Sequence, residues 1–119
     1  MRIYLAGRMS GMPNNGYDLF NNKAQHLRAA GWDVISPAEM DVDAGLDADR
    51  EFTRADYMQA ARRDLRAIRS CQAIYMMDDY EHSPGACWEW AYAKELGLTI
   101  YYETPMASHL TRHTPGYGL

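Results

Sequence analysis

Residues 3–37, IYLAGRMSGMPNNGYDLFNNKAQHLRAAGWDVISP, decide the fold class. Ile3 to Ala6 is a short apolar run stopped by Gly7, the profile of a buried strand. Arg8 to Gly16 holds Gly11, Pro13 and Gly16 around Asn14-Asn15 and reads as a loop. From Tyr17 to Ala30, apolar residues recur with helical spacing (Tyr17, Phe20, Ala24, Leu27, Ala30), and Gly31 stands where a C-terminal cap is expected. Trp32 to Ile35 gives a second strand, closed by Ser36-Pro37. Strand, loop, helix, glycine and strand in this order spell a βαβ unit, hence a parallel sheet.

Working outward, Pro37 to Phe52 is acidic and is expected to be irregular. Its run Asp41, Asp43, Asp47, Asp49 invites comparison with a calcium loop, but with Asp41 first, Gly45 falls one place early and Phe52 replaces the closing glutamate. Calcium is therefore rejected. Thr53 is a candidate helix cap, and Arg54 to Arg69 follows with Met58, Ala61, Leu65 and Ile68 on one face. Gln72 to Met77 is a third strand, of the kind buried on both faces. Met76-Met77 reads as core filler. His82-Ser83-Pro84-Gly85 opens a further helix, with Pro84 in its first turn and Gly97 as its stop. Leu98 to Tyr102 is a fourth strand. The whole is a doubly wound, three-layer α/β/α domain, flavodoxin- or Rossmann-like, with a four- or five-stranded parallel sheet over residues 1–103, and residues 104–119 as a C-terminal tail.

Size and charge narrow the function. One domain of 119 residues with a net charge of −4 does not suit a general binder of the nucleic-acid backbone, whose affinity grows with Lys/Arg–phosphate pairs. Two cysteines, Cys71 and Cys87, form neither a disulfide framework nor a CxxC pair. No apolar run approaches a membrane span, and the N-terminal apolar stretch is too short for a signal peptide. A cytoplasmic, reduced protein is the expectation.

In a doubly wound sheet, ligands sit beyond the carboxyl ends of the strands, at the switch in strand order. After the first strand comes Gly7-Arg8-Met9-Ser10-Gly11, where glycines let the backbone approach a ligand and Arg8 offers a fork of donors to an anion. Neither the dinucleotide fingerprint nor the P-loop is present. After the third strand, Ser83-Pro84-Gly85-Ala86-Cys87-Trp88-Glu89 puts a hydroxyl at a helix start, where exposed N–H groups favour anions, and a carboxylate about a turn and a half inside. Glu89 lies among Cys87, Trp88, Trp90, Ala91, Tyr92 and Ala93, and burial there would raise its pKa. A plainer reading has Ser83 only capping and Glu89 facing water. Asp64, between Arg62-Arg63 and Arg66, reads by itself as one member of a solvated charged face. His26, His82, His109 and His113 have no metal spacing, and Cys87 reads as a small packed residue.

The ordered set resembles the nucleoside 2-deoxyribosyltransferase superfamily over residues 2–102. The resemblance rests on Ile3-Tyr4-Leu5-Ala6-Gly7, on Asp64-Leu65, and on Ser83-x-Gly85-x-x-x-Glu89-x-x-x-Ala93 followed by Leu96-Gly97. It is strongest to a small branch common in phage genomes that opens IYLAG-x-M-x-G. It implies N-glycosidic chemistry on nucleosides or nucleotides, with Glu89 as nucleophile at the anomeric carbon, Asp64 serving the leaving base or orienting the sugar, and Tyr4 tuning the glutamate. Gly7, Arg8, Ser10, Ser83 and Gly85 become the substrate-binding residues. Family members that take free nucleosides generally carry Asp six residues before the glutamate, and nucleotide hydrolases carry Ser. Here it is Ser83. A carboxylate beside a phosphate is a like-charge contact, whereas a hydroxyl with helix N–H groups stabilises the dianion. Arg8 stands where relatives more often have Pro or Ser.

Trapping an oxocarbenium-like centre on a carboxylate needs no metal or organic cofactor. The expected function is cleavage or transfer of the N-glycosidic bond of a nucleoside 5′-monophosphate or nucleoside. The alternative is a non-catalytic protein that binds or sequesters a nucleotide on the same fold. The resemblance also implies a homodimer or larger symmetric assembly in which the tail helps complete the site. Tyr101-Tyr102, His109, Arg112, His113 and Tyr117 supply aromatic and basic groups there, and the stripe Trp88, Trp90, Tyr92 cannot all face one core.

Overall fold

The computed structural model describes residues 1–47 and 51–104. Its sheet contains β1 (Arg2–Ala6), β2 (Asp33–Ile35), β3 (Ala73–Met76) and β4 (Thr99–Tyr102). All neighbours pair in parallel, in the order β2-β1-β3-β4. The helices are α1 (Tyr17–Ala29), α2 (Pro37–Asp43), α3 (Arg54–Arg69) and α4 (Pro84–Glu95). The three-layer, all-parallel α/β architecture expected from the sequence is present, with four strands among the described residues. The histidines, arginine and tyrosine assigned to the tail (His109, Arg112, His113, Tyr117) lie outside the described residues; Tyr101 and Tyr102 belong to β4.

The strand period of two explains how the layers are filled. Along β1, Ile3 and Leu5 pack with Tyr17, Phe20 and Ala24 of α1, while Tyr4 and Ala6 pack on the other side with Ile68 of α3 and Ala86 and Ala93 of α4. Neighbouring β3 divides the same way: Ala73 joins the α1 side, and Ile74 and Met76 the α3/α4 side. Met76 and Met77 are both buried. Tyr4 is thereby aimed at the layer that carries Asp64 and Glu89.

Caps fix the helix ends. Thr53 and Asp56 form a reciprocal capping box on α3: the Asp56 N–H donates to Thr53 Oγ1 at 3.1 Å and the Thr53 N–H to Asp56 Oδ2 at 2.8 Å. Gly16 has φ +72°, and a Cβ there would stand 2.8 Å from the Arg8 carbonyl oxygen, so only glycine lets the start of α1 close against the loop after β1.

One expectation is corrected. Pro37 to Phe52 is not irregular throughout, because Pro37–Asp43 is helical. Pro37 occupies the first turn, where its fixed φ suits a helix start, and Pro37, Ala38 and Asp41 face inward. The inward repeat is masked in the sequence because its third member is a carboxylate. The helix expected over Arg54 to Arg69 is present, and its face Met58, Ala61, Leu65, Ile68 divides along its length. Ile68 is buried and Leu65 packs partly against the core, but Met58 is exposed and Ala61 lines a cavity.

The chain leaves β1 toward β2 on one side, whereas β3 continues to β4 on the other. The switch point therefore lies between the carboxyl ends of β1 and β3, where Gly7–Gly11 and the segment leading to α4 emerge. Among the described residues no helix is long and apolar enough to cross a membrane.

Candidate active site

A cavity of about 510 Å³ opens at this switch point. Its lining takes Gly7, Arg8 and Ser10 from the loop after β1, Asp64 from α3, and Ser83, Gly85 and Glu89 from the start of α4. Tyr4 reaches the same place from below, its hydroxyl donating to Glu89 Oε2 at 2.5 Å. Seven of the eight residues singled out in the sequence thus line one cavity, and Tyr4, fully buried, joins them through Glu89. Residues 4 and 89 meet because β1 is central and α4 crosses the face toward which Tyr4 points.

The start of α4 is built as an anion-facing helix end. Ser83 caps it, its Oγ accepting the Ala86 N–H at 3.1 Å. Capping uses the oxygen's acceptor side and leaves the hydroxyl proton for a ligand. The first turn carries no acidic residue to offset its electropositive end.

Deeper in the cavity the charges are negative. Glu89 is held well above the ordinary carboxylate range, first by burial and then by the charge of Asp64, against the lowering effect of the Tyr4 hydroxyl. Asp64 is pushed up to about 6, again mainly by burial, although Arg63 pulls it down. Burial and the two carboxylates raise the Tyr4 phenol well above its usual value, so Tyr4 stays a donor. Two carboxyls that each resist ionisation titrate as a unit and retain a proton where isolated carboxyls would have lost theirs.

Other residues at the site escaped the sequence reading. Phe52, Tyr57, Ala60 and Trp88 line the walls, as does Asp41 of α2. Behind Asp64, the Arg63 guanidinium bridges two carboxylates, its Nη2 donating to Asp41 Oδ1 at 2.6 Å and to Asp64 Oδ1 at 2.8 Å. Adjacency of Arg63 to Asp64 was visible in the chain; the partnership with Asp41, 22 residues away, was not. The aromatic stripe of α4 divides: Trp88 is 70% exposed at the cavity edge, Trp90 donates its indole N–H to the Tyr102 hydroxyl at 2.9 Å, and Tyr92 packs against the core. Cys87 is partly buried, its thiol turned toward the Tyr80 and Glu81 carbonyls, and burial raises its pKa. Among the described residues no three His, Cys, Asp or Glu side chains are grouped as a metal site would require.

Comparison with solved structures finds the fold again. The chain is similar to the 2-deoxyribosyltransferase of the psychrotolerant bacterium Bacillus psychrosaccharolyticus, with a TM-score of 0.63 and 22% identity, covering 89% of this chain and 75% of that one. The likeness expected from the motifs is thus found at the level of the fold. No curated protein matches the chain. The family model described as "Domain of unknown function (DUF4406)" matches residues 1–102. With the sheet, the caps and the cavity all inside that span, the chain belongs to the DUF4406 family.

Proposed function

We propose that the protein cleaves the N-glycosidic bond of a nucleoside 5′-monophosphate, with transfer to a second base as the lesser activity. The observation that carries this reading is the Tyr4–Glu89 hydrogen bond in a cavity shared with Asp64 and roofed by the start of α4. Glu89 attacks the anomeric carbon as carboxylate, the C–N bond breaks, and its electron pair leaves with the base. Asp64 gives the departing nitrogen a proton. Water, or a second base, then displaces Glu89 from the glycosyl ester, and the proton it sheds returns to Asp64. Tyr4 donates to Glu89 throughout. Gly7, Arg8, Ser10, Ser83 and Gly85 surround the sugar and its 5′-phosphate. None of these steps calls for a cofactor.

The second reading, binding without turnover, draws on the burial of Glu89, which holds its carboxyl well above the ordinary carboxylate range and so favours the protonated form, and a protonated carboxyl is no nucleophile. Incubation with a panel of nucleosides and 5′-monophosphates, followed by chromatography of the released base, separates the two. Base release supports the glycosidase; tight binding of a monophosphate with no release supports sequestration.

Ser83→Asp is expected to weaken use of 5′-monophosphates by about 10- to 100-fold while changing nucleoside use far less, through like-charge repulsion and loss of the hydroxyl donor. Asp also caps helices, so α4 keeps its start. Equal effects on both substrates would place the phosphate elsewhere. The reading includes a symmetric assembly, for which the exposed Trp88 at the cavity edge is a suitable contact. Light scattering at micromolar concentration should give a mass of at least twice 13.6 kDa, and a monomer mass refutes it. The free cysteines Cys71 and Cys87 suit a reducing cytoplasm.

A further inference from the structure

The Arg63 guanidinium has more to do than neutralise a neighbour. It meets Asp64 Oδ1 through both Nη2, at 2.8 Å, and Nε, at 3.1 Å, while Nη2 also donates to Asp41 Oδ1 at 2.6 Å. The Asp41 side chain is only 5% exposed. Its second oxygen accepts from the Tyr17 hydroxyl at 3.1 Å, and that hydroxyl also lies 2.7 Å from the Leu46 carbonyl. One fixed array therefore joins α1, α2 and α3 behind the cavity.

The count of charges is unequal. Around Asp64 stand Glu89 from α4, Asp41 from α2, Tyr4 from β1, Tyr17 behind Asp41 from α1, and Arg63 on its own helix, with Arg8 and His82 farther out on the cavity wall. Three inner carboxyls share one inner guanidinium. Had Arg63 served Asp64 alone, a bidentate pair would hold Asp64 firmly as carboxylate. Asp41 draws part of that charge away.

We infer that Asp41 and Arg63 are positioning residues for Asp64: their ion pair fixes the Asp64 carboxyl toward the cavity and, by sharing the Nη2 nitrogen that also meets Asp64, leaves Asp64 able to carry a proton. Burial is the main cause of the elevation of Asp64 to about 6, and the Asp41 charge adds to it against the pull of Arg63. The kinetic consequence rests on the glycosidic reading, in which Asp64 protonates the leaving base; the titration does not.

The test follows the Asp64 side-chain carboxyl by ¹³C NMR across pH in uniformly labelled full-length protein, with Asp64→Asn assigning the signal. Asp41→Asn should lower the Asp64 midpoint by about one pH unit, because Arg63 is released to Asp64 and a like charge is removed. Arg63→Gln alone strands the buried Asp41 charge and endangers folding. The double variant Asp41→Asn/Arg63→Gln removes both charges together and should raise the midpoint above wild type, since the nearer charge is the guanidinium. A midpoint that stays within about 0.2 unit of wild type in either folded variant overturns the inference, since one pH unit is the minimum expected from a contact of this kind. In turnover, the acid limb of kcat/KM should move with the NMR midpoint. Wild-type protein that releases no base from any substrate defeats the glycosidic reading, and the titration still decides the role of Asp41 and Arg63.

Discussion

Glu89→Gln is expected to lower base release by at least about 10³-fold while leaving the fold intact. The amide is nearly isosteric, and its oxygen can still accept the Tyr4 hydroxyl proton now donated at 2.5 Å. What it cannot do is form and release a glycosyl ester. Near-wild-type turnover in this variant would end the assignment of Glu89 as nucleophile. The same substitution should stabilise the protein. Glu89 holds its proton more tightly folded than unfolded, so folding takes up a proton and stability falls as pH rises from the unfolded carboxyl value toward the raised folded one. Gln carries no such penalty. Melting curves between pH 4 and 8 (a range of about four units spanning the ordinary carboxyl value) should show the variant gaining over wild type as pH rises. A wild-type curve that parallels the variant's would contradict the buried, proton-holding carboxyl.

Asp64→Asn should cost about 10²- to 10⁴-fold, the usual span for loss of a general acid. The loss should depend on the leaving group. A base that departs as a neutral species without protonation, such as N7-methylated guanine, should be released by the variant at close to the wild-type rate. The pH profile should change as well. In wild type the active form of the Asp64–Glu89 pair carries one proton, so kcat/KM falls on the acid side near the Asp64 value of about 6 and falls again at higher pH when the remaining proton leaves. The variant needs only an ionised Glu89, so the fall on the high-pH side should vanish. An unchanged bell-shaped profile would remove Asp64 from proton transfer.

How far the chain could be read follows from which forces leave a periodic trace. β1 was legible because Ile3, Tyr4, Leu5 and Ala6 form an apolar run closed by glycine, and burial on both faces requires that. The start of α4 was legible because Ser83, Pro84 and Gly85 each favour that position for a local reason. α2 was not, since its inward position 41 holds an aspartate whose partner, Arg63, lies 22 residues downstream; an ion pair of that separation imposes no period. The face of α3 was legible as helix but not in what covers it. Its spacing is genuinely helical, but periodicity reports only that a surface avoids water, whether a core or a cavity receives it. Asp64 was legible only through the family resemblance, since its sequence neighbours are arginines typical of an exposed face.

The two halves of α3 answer to different masters. Its last turns, with Leu65 and Ile68, anchor in the core, and its first turns contribute Tyr57, Ala60 and Ala61 to the cavity wall. Exchanging Ala60 or Ala61 removes neither the Thr53–Asp56 capping box nor a contact of the buried core, so it carries little folding penalty. Such exchanges reshape the wall beside Asp64 while Tyr4, Glu89 and the Ser83 cap stay fixed on other elements. A lineage built on this scaffold can therefore drift in the molecules it accepts, one wall residue at a time, without crossing a stability threshold at any step.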